Sequence, residues 1–272
     1  MQHLVEDMAA AALRDVATWG RLEVPVRIVL HPDHEALERA IGRHGLPWLR
    51  AWAQYSRIDL QSPATFGYRD PRPALRELLA HELTHVWMYQ HIGTPETWSQ
   101  VWVPFWFREG MASWTSKQGY RRGNLASLGQ RLAALDGAID PLLDGETLTR
   151  IDQPLAYGAA HWGFDRVVAE TGEDAVRALL EDLRSAVDCA PPANPPAGDE
   201  PQRPVSGDGR TAQTRAGSGT GDVDCSSEST RFGRAFEHRL GESEVLFAIR
   251  FRRDLLEAAH PSPTAEPIPG IP

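Results

Sequence analysis

Lysine is almost missing from this chain. Of its 28 basic residues only Lys117 is a lysine, and the rest are arginine. We read that skew as a compositional bias with no functional content. Basic charge is short overall. Against the 28 stand 37 acidic residues, for a net charge of −9. An acidic surface argues against nucleic acid or an anionic membrane as partner. Cysteine is scarce, with only Cys189 and Cys225. That excludes a disulfide scaffold, and two thiols alone do not make a zinc site. No apolar run reaches the ~18 residues of a transmembrane helix. The opening MQHLVEDMAAAAL carries acids and has no basic stretch ahead of an apolar core, so no signal peptide is expected. The expected location is the cytoplasm.

Apolar residues are plentiful at 42%, with nine tryptophans, enough for a sizeable core. Leu4, Val5, Met8, Ala12, Leu13 and Val16 recur at helical spacing, predicting a helix over 1–19. Val24 to Leu30 reads as a buried strand, and Asp33 as the N-cap of a helix from His34 to Ile41. Residues 48–54 read as a short helical turn. Ser56 to Ser62 alternates, predicting a half-exposed strand with Ile58 and Leu60 inward and Arg57, Asp59 and Gln61 outward. Helices are expected from Ala74 to His91, Pro104 to Lys117, 123–136, Pro154 to Thr171 and Glu173 to Val187, with a loop over 139–149.

From 188 to 230 Pro, Gly, Ser, Asp and Thr dominate, with almost no large apolar residue. Such a stretch buries too little surface to offset its ordering entropy and is expected to be disordered. Phe232, Phe236 and Leu240, then Val245 to Leu256, predict two further short helices. These are too few residues for a core of their own. The expectation is one catalytic domain, 1–187 plus 231–260, interrupted by an insertion at 188–230 and followed by a flexible Pro-rich tail at 261–272. A Cys189–Cys225 bond would close the insertion, but free thiols are the expectation in a cytoplasmic protein.

The chemistry centres on His81-Glu82-Leu83-Thr84-His85. Residues i and i+4 of a helix project from nearly the same side, so both imidazoles can grip one zinc ion. Glu82 is offset around the helix, placed to take a proton from a water on that metal. Leu78, Leu79, Leu83, Val86 and Trp87 are apolar, so the helix is buried, where such polar side chains need partners. A catalytic zinc needs a third ligand. His91 falls on the wrong face, which leaves Glu109, an acid in the aromatic segment Trp106-Phe107-Arg108-Glu109-Gly110-Met111-Ala112. The small Gly110 and Ala112 would let that helix approach the first. Tyr157 and His161, i and i+4 with small residues between them, are the candidates for stabilising an oxyanion. The Trp98, Trp102, Trp106, Phe107 and Trp114 cluster reads as core more readily than as a pocket.

His81-Glu82-x-x-His85 followed by Trp106-x-x-Glu109-Gly110-x-Ala112 resembles the gluzincins, the thermolysin-like superfamily of zinc peptidases, and within it the small peptidase-MA-like domains. The resemblance spans most of the chain outside the insertion and tail. It implies an α+β fold, with a small mixed sheet beside a mainly helical, zincin-like domain that bears the metal helix. It also implies one zinc ion on His81, His85 and Glu109, and a peptide substrate laid along an edge strand, here 56–62. Two features depart from the pattern. Ser113 stands where relatives often carry an acid that orients a zinc-bound histidine. The G-x-M-E-N segment of the large aminopeptidases is absent, so no aminopeptidase specificity is implied. The expected activity is zinc-dependent peptide-bond hydrolysis. The alternatives are a catalytically silent zincin-like module that binds a peptide or partner, or a helical protein without metal.

Overall fold

The helical spacing at the start of the chain forms α1 (Gln2–Val16), which buries Val5, Ala12 and Val16. Strand β1 (Arg27–His31) follows, then α2 (His34–Ile41), whose N-cap is Asp33 as expected: its Oδ1 accepts from the Ala36 N–H at 2.8 Å. β2 (Ala51–Ala53) and β3 (Arg57–Gln61) precede the long α3 (Arg72–Ile92). Then come α4 (Phe105–Thr115), α5 (Gly119–Arg122), α6 (Leu125–Ala133) and α7 (Gly145–Ile151). α8 (Gln153–Val187) is kinked at Gly172, whose φ of 81° breaks the helical path where Thr171-Gly172 predicts a boundary. α9 (Glu228–Leu240) and α10 (Glu244–Ala259) complete the fold. This computed structural model describes residues 1–135, 139–187 and 228–259. The expected insertion up to residue 227, with Cys189 and Cys225, and the expected tail lie outside the described residues.

The fold is mixed, mainly helical, with one small three-stranded mixed sheet in the order β1-β3-β2. β1 runs parallel to β3 with Ile28 opposite Ile58. β2 runs antiparallel, with Trp52 opposite Asp59. This order corrects the expected edge: the 56–62 segment is the central strand, and the edges are β1 and β2. Its outward face is corrected too. Asp59 and Gln61 are 1% and 4% exposed. Asp59 is accommodated there because it accepts from Arg57 and bonds His31 Nε2 at 2.7 Å. The helical turn expected over 48–54 is instead a hairpin strand. The Gln61 N–H donates to the Arg50 carbonyl and the Gln54 N–H to the Arg57 carbonyl, both at 2.8 Å. Cross-strand pairing thus overrides the weak local preference of Leu49-Arg50-Ala51-Trp52. The end of the expected loop at 139–149 is also helical, as α7.

α3 runs through the middle, with Leu75, Leu79, Leu83, Val86 and Ile92 all at most 2% exposed. α1, α4 and β2 pack on it. Trp106 and Phe107 are fully buried, as the core reading of that cluster expects, whereas Trp102 is 41% exposed. Gly110 does not ease α4 onto α3. Its close neighbour is α8: a Cβ there would meet the Ala160 carbonyl oxygen at 2.3 Å and Phe164 Cβ at 2.7 Å. Gly110 therefore sets the depth at which α4, and Glu109 with it, seats against α8.

Replacing Gly110 with Ala should overpack this contact and lower stability by about 1–3 kcal/mol. Urea unfolding measures it, and an unchanged midpoint would show that α4 can shift freely.

Candidate metal centre

α3 opens on Pro71-Arg72-Pro73, where prolines suit a first turn. It runs long enough to carry His81, Glu82 and His85 into the core, at 3%, 7% and 6% exposure. α4 brings Glu109, 9% exposed, to the same point. His81 Nε2 lies 3.1 Å from His85 Nε2 and 3.4 Å from Glu109 Oε2. His85 Nε2 lies 3.7 Å from Glu109 Oε1. Ligands at ~2.1 Å from a tetrahedral ion stand about 3.4 Å apart, so the triangle is the size such an ion requires. His81, His85 and Glu109 form a buried group able to hold a metal ion.

The electrostatics agree. Burial pushes both imidazoles down, His85 to about 3, so both are neutral and have a lone pair to give. Burial alone would raise Glu109, but His85, His81 and Arg108 outweigh it and hold it well below the usual carboxylate range. The centre thus presents two neutral nitrogens and one anionic oxygen, a donor set suited to zinc. Glu82 differs. Burial, then the charge of Glu109, pushes its carboxyl up to about 8. Its neighbour across the site is β2, whose Ala53 N–H donates to it.

Tyr157 is brought to the centre: Glu109 and Glu82 both act on its hydroxyl, and burial, then Glu109, raises its ionisation well above the usual phenol range. It therefore keeps its proton at neutral pH and can donate a hydrogen bond. His161 is not brought there. It lines a separate cleft of about 540 Å³ with Arg14, Asp15, Trp114, Lys117, Arg122 and Asp165, and none of the metal-site residues line that cleft. The charges acting on it are those of Arg122 and Asp165, after burial, which pushes it down to about 4. The helical spacing that pairs Tyr157 with His161 is real, but α8 lies between two sites.

Four neighbours were not singled out for a role by the sequence reading. Tyr89, one turn beyond His85 on the same face, is also raised by burial and feels Glu109 and Glu82. Arg108 reaches Glu109 Oε1 at 3.4 Å and Glu146 at 3.2 Å. Arg121 lies over the Tyr157 ring, 4.4 Å from its centroid. Gln118 is the fourth. Ser113 Oγ is buried and makes no hydrogen bond among the described residues, so it does not orient a histidine. Gln118 stands in its place. It is 1% exposed, within loose hydrogen-bonding reach of His81, and its Oε1 and His81 Nδ1 are both buried without a bond of good geometry.

The end of α4 puts Gln118 there. Lys117 takes a left-handed φ of 57°, the only non-glycine among the described residues with positive φ. The Lys117 N–H donates to the Trp114 carbonyl at 3.2 Å and the Gln118 N–H to the Ser113 carbonyl at 3.1 Å. This is a Schellman ending with lysine where glycine is usual. It folds Gln118 back over the last turn of α4. No protein-family model, curated protein or solved structure matches the chain.

Gln118→Ala should leave the fold intact but weaken zinc affinity about tenfold or more, read by competition with a chromophoric chelator; Gln118→Glu should restore it. Unchanged affinity in the alanine variant would remove Gln118 from the site. His161 makes a pH prediction. Unfolded it protonates near 6.5, folded only near 4. Between those values the unfolded chain binds the extra proton, so this group subtracts stability as pH falls, by up to ~1.4 kcal/mol per pH unit. In metal-free protein, His161→Asn should flatten the fall in unfolding free energy from pH 6.5 to 4 by about one proton.

Proposed function

We propose that this chain is a zinc-dependent peptide-bond hydrolase of gluzincin type, a zincin-like catalytic domain. One observation carries the reading: a buried carboxylate, Glu82, sits beside a metal-sized triangle of His81, His85 and Glu109 without belonging to it. A metal alone needs only the triangle. A fourth, separately held acid is what proton transfer needs.

A zinc ion on the three ligands would supply a Lewis acid that polarises a carbonyl and acidifies a water. The chain's own residues do the rest. Glu82, its carboxylate steadied by the Ala53 N–H, takes the proton of the attacking water and later returns it to the leaving amine. Its raised affinity for a proton makes it a stronger base than an exposed glutamate. Tyr157 donates its hydroxyl proton as a hydrogen bond to the oxygen that gains charge. Arg121 over its ring holds that phenol in place. An extended substrate, expected along 56–62, pairs instead along β2. That is the sheet edge beside Glu82.

Glu82→Gln should keep one zinc per chain and lose about 10²-fold or more of peptidase turnover. His81→Ala should lose the zinc. Elemental analysis beside cleavage of a mixed peptide library reads both. Full zinc occupancy with no cleavage by the unmodified protein would favour the silent binding module, and full activity in Glu82→Gln would overturn the assigned base.

A further inference from the structure

Arg121 differs from the other arginine at the centre. Arg108 is shared between Glu109 and Glu146. Arg122, next in sequence to Arg121, pairs with Asp165 at 3.1 Å and stacks on Trp162 at 3.6 Å. Arg121 has no carboxylate within 4.0 Å among the described residues. Its contacts are the Tyr157 ring and a side-chain hydrogen bond with Tyr120. It is partly buried, yet its charge is felt at His81, Glu82, His85 and Tyr157. A guanidinium has five N–H donors, and a ring face uses none of them.

A half-buried cation without an anion is costly. The carboxylate whose charge supports Arg121 is Glu109, and Glu109 is grouped with the two histidines. With a divalent ion bound there, two arginines and that ion face three carboxylates, Glu82, Glu109 and Glu146, and the centre still carries an excess of positive charge. A substrate brings the balancing anion most simply as a carboxylate, whose two oxygens match the guanidinium fork.

Resting on the hydrolase reading, we infer that Arg121 anchors a carboxylate of the substrate, so the site prefers peptides presenting one within reach of the metal centre. The carboxylate is either the free C-terminus or an acidic side chain. Arg121 then determines specificity, while Glu82 and Tyr157 act on the reacting atoms.

The test uses the zinc-loaded Glu82→Gln protein, so that binding is read without turnover, and three matched N-acetylated peptides. One ends in a free carboxylate, one in an amide, and one in an amide with a glutamate in the chain. Calorimetry should give a free-carboxylate or glutamate peptide about tenfold tighter than the uncharged amide, and which of the two binds tighter identifies the carboxylate's source. Adding Arg121→Gln should cost the carboxylate peptides about tenfold more affinity than it costs the amide, leave the zinc content unchanged, and be partly rescued by Arg121→Lys. A purely structural arginine would instead shift all three peptides together or cost zinc. Equal binding of the three peptides, or a preference that survives Arg121→Gln, overturns the inference. Cleavage of the peptides by unmodified protein without charge preference overturns it and leaves the hydrolase reading standing. Charge-selective binding without any cleavage does the reverse. No binding of any peptide removes both.

Discussion

Two imidazoles and a carboxylate share one buried corner between α3 and α4, and much of this molecule serves to hold them there. Each is expensive alone: burial strips the imidazoles of their protons and would drive the carboxylate to take one up. Set at 3.1 to 3.7 Å from one another, they share one resolution. The carboxylate keeps its charge because the imidazoles and Arg108 surround it, and the nitrogens keep their lone pairs because burial denies them protons. A cation is the one ligand that uses all three at once. Three polar groups buried between two largely apolar helices are a local conflict with burial, of the kind found at functional sites.

Holding that triangle requires two helices at a fixed separation, and a third sets it. α4 has no room for a Cβ at Gly110 where it meets α8. The residue after Glu109 therefore fixes how far its carboxylate reaches. α8 in turn gives Tyr157 to the centre and His161 to the cleft behind it. On the far side β2 turns the Ala53 N–H toward Glu82. Fold and site are coupled through these approaches.

What was legible in the sequence follows from the distance over which each feature is encoded. His81, Glu82 and His85 are joined by one turn of helix, so their convergence follows from local geometry. Glu109 was legible because an acid in an aromatic, small-residue segment has few other uses. The helices with clear period were legible from local pattern, whereas the small mixed sheet was expected only from the family resemblance. The order of the strands was not legible. β1 pairs with β3 across a whole helix and a hairpin, and nothing in Ser56–Ser62 says whether it has one neighbour or two. A three-residue strand such as Ala51–Ala53 is too short to show a period. His161 fell the other way: its spacing from Tyr157 is helical, but spacing says nothing about which cavity a helix face meets.

Gln118 and Arg121 were illegible because a backbone reversal places them. A helix that ends on glycine at this position costs nothing in conformation, whereas Lys117 in the left-handed region costs about 1 kcal/mol. Strain of that kind persists where the surroundings over-determine it. Here the next residues supply the reason. The reversal at Lys117 turns Gln118 back toward His81 and starts α5, which lays Arg121 on Tyr157 and Arg122 on Trp162. One short segment thus approaches a candidate metal ligand and the proposed oxyanion donor and, through Lys117, Gly119 and Arg122, lines the second cleft. Its geometry matters more to the chemistry than its length suggests, because like α8 it joins these features in one frame.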